Sequence, residues 1–368
     1  MNRRPASRDW NELQRRHLAF WEAAEIDRPL IQVNYDAYVD TELVAALMGE
    51  GELDPRSIDP RPLLAEYDRQ AQARELVGDD TIGVAEPLLG IPWLEAICGC
   101  RVMVADGKSL WPESPAGGSE MGDISFTRDN PWFRKLLEVQ RAVVDHVAGR
   151  YAVSLSHLRG PTDVLVALLG TARFFGAFYE APDRVSALAA QAAQVWLQVA
   201  RAQTEIVPSY RGGYAVRQFG LWAPERAVWL QDDTSSMMSL EHYKEFFLGP
   251  MRTMSVFPYG TLHLHIPSLH LAETLAQVSR IRAVNLYFDS PKTSLQQAMP
   301  TMQRLQGRGV PLILAKDVYE GFTVAEYEEI LDGLSPRGLS VHLKADSVSE
   351  GRAVMAYVQE KAVRHAST

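Results

Sequence analysis

Thr261-Leu262-His263-Leu264-His265-Ile266-Pro267 is the stretch on which the fold turns. Apolar and polar residues alternate through it as in a buried strand, yet two of the polar positions are histidines. Side chains at i and i+2 of a strand leave the same face, so His263 and His265 emerge side by side. His270 follows where the next helix is expected to begin. Two imidazoles converging at a strand end point to a metal or proton-transfer site. The competing reading is a pair of hydrogen-bonded histidines lining a core.

Working outward, seven more short apolar runs read as strands: Leu30 to Tyr35, Thr81 to Ala85, Tyr151 to Leu158, Ala227 to Gln231, Ala283 to Phe288, Leu312 to Ala315 and Leu339 to Leu343. Stretches of helical length separate most of them, at 62–77, 131–148, 164–207, 239–254, 268–279, 293–307 and 324–333. In 131–148 the apolar stripe is interrupted by Gln140. Strands alternating with amphipathic helices imply a parallel sheet covered by helices. Eight such units predict a single (β/α)8 barrel, a TIM barrel, over 1–368. It carries an N-terminal helical extension over 1–28 and an inserted region over 88–130, with a short strand at Arg101 to Val104. An open doubly wound sheet is the other architecture considered. No strand runs into a glycine-rich dinucleotide turn, which weakens it.

Composition narrows the function classes. The net charge of −9 and the lack of a basic stripe argue against a nucleic-acid partner. The only cysteines are Cys98 and Cys100, so a disulfide framework is excluded and a reducing setting is expected. One residue between two thiols makes a poor zinc clamp; both read as small buried hydrophobes. No apolar region follows the basic N-terminus, and no run reaches the ~18 apolar residues of a membrane span. A cytoplasmic protein without a membrane partner is the expectation.

In a barrel, chemistry collects at the C-terminal ends of the strands. The polar residues there are Asn34 and Asp36, Glu86, Ser156 and His157, Asp232 and Asp233, His263 and His265, Asp289, Lys316 and Asp317, and His342 and Lys344. Uncompensated buried charge is costly, so these groups must face water, each other, a ligand or a metal. Two imidazoles with a carboxylate or third imidazole would make a Zn²⁺ site with an open position. His342, Asp233, Asp317 and Glu86 compete for the third place, and spacing does not choose among them. Trp222 and Trp229 flank Pro224 ahead of Asp232, where they either wall a pocket or pack the core.

From Gly160 onward the chain resembles the uroporphyrinogen decarboxylase superfamily, which includes zinc-dependent methyltransferases of corrinoid systems. The resemblance rests on Gly160-Pro161-Thr162-Asp163, Leu169-Gly170-Thr171 with Phe174, Tyr179-Glu180-Ala181-Pro182-Asp183-Arg184-Val185, Asp232-Asp233, Met237-Met238-Ser239-Leu240-Glu241, Phe246-Phe247-Leu248-Gly249-Pro250 and Leu262-His263-Leu264-His265. It covers roughly 150–345. The superfamily's decarboxylases carry an arginine-rich segment after the first strand; here that place reads Asn34-Tyr35-Asp36-Ala37-Tyr38, which argues against a haem-pathway decarboxylase. Its methyltransferases hold zinc through His-x-Cys and a late cysteine. In this chain His265 stands in the place of the first cysteine, and none follows position 100.

The resemblance therefore implies a first-step methyltransferase. It would move a methyl group from a small O- or N-methylated substrate to a corrinoid protein, and homodimerisation is expected on the same ground. The candidate roles are Asp233, Glu86 and Lys316 in catalysis, Asn34, Tyr35, Ser156, Trp222 and Asp289 toward the substrate, and His263, His265 and His342 toward zinc. Two other functions compete. One is a small-acid decarboxylase or lyase with Asp233 as acid, His263 as base and Lys316 as carboxylate anchor. The other is a non-catalytic barrel that binds a small molecule.

Overall fold

Alternating apolar residues form the eight expected strands, and every one pairs in parallel. They are β1 (Leu30–Asn34), β2 (Val84–Ala85), β3 (Ala152–Val153), β4 (Ala227–Gln231), β5 (Tyr259–His265), β6 (Ile281–Phe288), β7 (Leu312–Lys316) and β8 (Leu339–Lys344). The computed structural model describes residues 8–34, 41–88, 90–105, 109–115, 121–216, 219–316 and 320–366. Six strands make one continuous sheet in the order β1-β8-β7-β6-β5-β4, while β2 and β3 pair with each other. Among the described residues the hydrogen-bonded ladder of the expected barrel is thus not closed.

Side chains account for both breaks. Beside β1, the N–H groups of Ile31 and Val33 donate to the carboxylates of Asp80 (2.9 Å) and Asp79 (2.8 Å). Arg28 pairs with Asp80 and Arg74 with Asp79, so the acceptors are held in place. After β3, Ser156 N–H donates to Gln203 Oε1 (2.6 Å) and His157 N–H to Glu86 Oε1 (3.0 Å). Gln140, the residue that interrupts its helix's apolar stripe, donates Nε2–H to the Ser154 carbonyl at 3.0 Å. Backbone groups satisfied in this way need no strand partner. The strand expected from Tyr151 to Leu158 accordingly shortens to two residues.

Both faces of the six-stranded sheet are buried, as parallel sheets require. Ile31, Val33, Val228, Leu230, Leu262, Leu264, Val284, Leu286, Leu314, Val341 and Leu343 pack into the main core. The alternate residues face the other way. Leu30, Ala227, Ala283 and Ile313 form a second apolar cluster with Phe20, Trp21 and Phe219 near the strands' N-terminal ends. Farther along, that face turns polar, with Gln32, Asn34, Gln231, Thr261, His263, Asn285, Ser340 and His342 all buried.

The helices follow expectation with some breaks. The long stretch 164–207 becomes Pro161–Leu169, Thr171–Glu180 and Pro182–Thr204. The first break falls at Gly170, whose φ of 77° suits glycine. After β5 the expected helix is a 3-10 turn, Ile266–Leu271, and a short helix, Ala272–Leu275. A final helix, Val348–Ala366, was not anticipated. In the 88–130 region, Trp93–Ile97 is helical and the expected strand at Arg101 forms a hairpin, Arg101–Ala105 with Ser109–Glu113. Cys98 and Cys100 are free and buried, and burial raises both thiol pKa values, that of Cys100 to about 12. Among the described residues no single helix is long and apolar enough to cross a membrane.

Candidate active site

β5 lies between β4 and β6, and its register sets His263 beside Gln231 on one side and Asn285 on the other. Asn285 donates Nδ2–H to the Ile313 carbonyl (2.9 Å), so its Oδ1 faces His263 as an acceptor. His263 Nδ1 lies 2.6 Å from that oxygen. The imidazole is therefore the Nδ1–H tautomer, and Nε2 keeps its lone pair. His263 stacks on Trp229 at 4.9 Å, and Trp229 stacks on Phe219 at 4.9 Å. The aromatic column fixes the plane of the ring.

His265, one strand repeat on, has both nitrogens next to carboxylates. Nδ1 is 2.5 Å from Asp289 Oδ2, and Nε2 is 3.2 Å from Asp233 Oδ1. Asp233 in turn accepts from Gln231 Nε2–H. Gln231 Oε1 accepts from Trp229 Nε1–H (2.8 Å) and His157 Nε2–H (2.6 Å). One amide thereby ties β4, the end of β3 and the carboxylate together.

Reciprocal caps set the position of Asp233. Asp232 accepts from Thr162 N–H (2.9 Å), the Thr162 hydroxyl (2.7 Å) and Tyr243 OH (2.8 Å). Asp163 accepts from Asp233 N–H (3.0 Å) and Thr234 N–H (2.9 Å). Gly160 permits this closeness, because a Cβ there would overlap the Gln231 carbonyl and the Asp232 carboxylate. Gly160→Ala is expected to cost about 1–3 kcal/mol in urea unfolding, as an overpacked site.

Electrostatics divide the two histidines. Burial pushes His263 down to about 4, against the pull of Asp233. Burial also acts against charge on His265, but Asp233 and Asp289 outweigh it and raise the pKa to about 9. Asp233 falls well below the usual carboxylate range, since the two histidines overcome its burial. At neutral pH the site holds neutral His263 and a His265 imidazolium between two carboxylates.

Asp233, His263 and His265 each offer one donor atom, and the three atoms lie within 4.8 Å of one another. Two imidazoles and a carboxylate are the donor set of a zinc site with an open position. Both Nδ1 atoms are occupied by oxygens, the outer arrangement that presents Nε2 to a metal. The residues present fit the ion.

The other candidates lie as follows. Asp289 is the partner of His265. Glu86 holds His157 N–H, and Ser156 donates its hydroxyl to the Pro87 carbonyl at 2.9 Å. Lys316 gives its ammonium to Glu326 at 2.6 Å and lines a separate cavity of about 490 Å³ with Asp289. Asn34 is buried on β1, accepting from Gln32 at 3.3 Å. Trp222 is at the opposite end of the strands, packed with Leu13, Ile82 and Ala152, its N–H bonded to His17. His342 is buried near Phe219, outside the three-donor group. Tyr35, Asp36 and Asp317 fall outside the described residues. Sequence reasoning passed over Asn285 and Gln231; an amide among apolar residues on each of the two neighbouring strands was the available signal.

No family model matches the chain, and no curated protein matches it. Among solved structures it is similar to a methyltransferase from Methanosarcina mazei. The match covers 95% of this chain and 98% of that one, with a TM-score of 0.62 and 15% sequence identity. At that identity the likeness shows a shared fold.

Proposed function

We propose that this protein is a methyltransferase that removes a methyl group from a small O- or N-methylated substrate at a zinc ion held by Asp233, His263 and His265, for delivery to a corrinoid protein. The frame is proposed to be a (β/α)8 barrel of the uroporphyrinogen decarboxylase type, its ladder interrupted at the two places described. The observation that carries the reading is the pair of occupied Nδ1 atoms, at Asn285 (2.6 Å) and Asp289 (2.5 Å), behind the donor atoms of one cluster. The fold shared with a methyltransferase adds support.

When bound, zinc would act as a Lewis acid toward the ether oxygen or amine nitrogen that loses the methyl group. The chain's residues do the rest of the positioning. Asn285 and Asp289 hold the imidazoles with Nε2 presented, Gln231 holds Asp233, and Trp229 keeps His263 in plane. His265 would hold the ion through Nε2 only in its neutral form, so zinc binding there would release a proton. Nitrogen and oxygen donors leave a metal more positive than thiolates do, which suits an oxygen-bearing substrate better than a thiol.

Zinc titration of chelator-treated protein against a competing chromophoric chelator tests the site. One zinc per chain is expected, bound at least a hundredfold more tightly than by the His263→Ala/His265→Ala variant. Equal affinity would overturn the site. Methyl transfer is read from the absorbance of reduced cobalamin incubated with zinc-loaded protein and a panel of methoxylated and N-methylated compounds. A spectrum unchanged by every compound would overturn the activity.

A further inference from the structure

A cavity of about 150 Å³ opens beside Asp233, between residues 90–95 and the ends of β3 and β4. Ile91, Pro92 and Trp93 supply its apolar wall, and Glu95, His157, Arg159, Gln231 and Asp233 its polar one. Such a volume takes a molecule of about benzene's size. Arg159 pairs through Nε with Glu95 Oε1 at 2.9 Å. Among the described residues, no hydrogen bond reaches its two terminal nitrogens. The oxygens of Glu95 are wholly buried, so the pair offers the cavity its cationic side.

We infer that this cavity seats a substrate bearing a carboxylate, with the free fork of Arg159 as its anchor and Asp233 at the reacting end. A guanidinium ion-paired through Nε still presents two parallel terminal donors that match a carboxylate. Ring or chain atoms between the two ends would lie against Trp93 and Pro92. Lys316, the anchor that strand-end position alone would select, is already paired with Glu326 in another cavity. The inference rests on Asp233, His263 and His265 being the reaction centre, and it narrows the substrate to small methylated acids.

Binding of benzoate, benzyl alcohol and benzylammonium to the full-length, chelator-treated protein tests it, followed by ligand-observed NMR. Benzoate is expected to bind at least tenfold more tightly than either of the others. In Arg159→Gln/Glu95→Gln, which keeps the pair neutral and close in shape, that preference is expected to fall within twofold. Arg159→Lys, which keeps the charge without the fork, is expected to retain an intermediate preference and guards against misfolding of the double variant. No benzoate preference in the wild type, a preference for benzylammonium, or a preference that survives the double variant would overturn the inference. Zinc titration of the same samples separates the two claims: Arg159-dependent benzoate binding without zinc binding keeps the anchor and removes the metal centre, and the reverse result does the opposite.

Discussion

Asp80→Asn is expected to lower the unfolding free energy by about 3–5 kcal/mol, because removing one partner of a buried ion pair leaves the other uncompensated. Asp80 and Arg28 are both buried, and the guanidinium reaches both carboxylate oxygens. The same carboxylate accepts from Ile31 N–H, and the Asp80 carbonyl accepts from His17 Nε2–H at 2.7 Å. One residue therefore ties β1, the entry to β2 and the N-terminal helix Trp10–Trp21. Burial alone would raise the Asp80 pKa, but Arg28 outweighs it and the pKa is lowered. A carboxyl with a lowered folded pKa contributes stability above its unfolded value near 3.8, and loses it as pH falls through the folded value. Urea midpoints of wild type and variant should thus differ most near pH 7 and converge in strong acid. The Arg28→Met/Asp80→Leu variant should recover part of the loss, since well-packed apolar residues often replace a buried pair without penalty. A loss below about 1 kcal/mol in Asp80→Asn would remove the pair from the account of the break beside β1.

His342→Leu is expected to shift the pH dependence of stability without touching zinc. His342 Nε2 is buried with no hydrogen-bond partner among the described residues, and burial pushes the imidazole down to about 3. The unfolded histidine titrates near 6.5, so below that pH the unfolded chain takes up a proton that the folded chain refuses. Stability is lost from pH 6.5 downward until about pH 3. At pH 5 this amounts to about 2 kcal/mol. Relative to wild type, the leucine variant should gain about that much between pH 7 and pH 5, read from urea midpoints at each pH. Its zinc affinity should match wild type; a tenfold fall would return His342 to the ligand set.

Much of the site was legible as a line of residues. Period-two alternation put His263 and His265 on one face, and the position of Asp233 at the end of β4 put a carboxylate at the same end of the neighbouring strand. Asp289 stood out as a strand-end acid, but its bond to His265 depends on how β6 runs past β5. Asn285 could not be tied to His263 without the register of β6, nor Gln231 to His157 without the approach of the segment after β3. Arg159 directly precedes the Gly160-Pro161-Thr162-Asp163 run, yet only the walls of the cavity beside Asp233 give it something to do.

By itself the sequence determined the places of the eight parallel strands and of most helices between them, which side chains share a face and which donor types are present. Those follow from propensity and periodicity, properties of neighbours along the chain. Tertiary structure decided the rest. It chose Asp233, rather than His342 or Glu86, to stand beside the histidines, set one imidazole neutral and the other charged, and opened the ladder on either side of β2 and β3. Coordination and proton affinity depend on distance through space and on burial, and Asp79 and Asp80 reach their β1 partners from more than forty residues away.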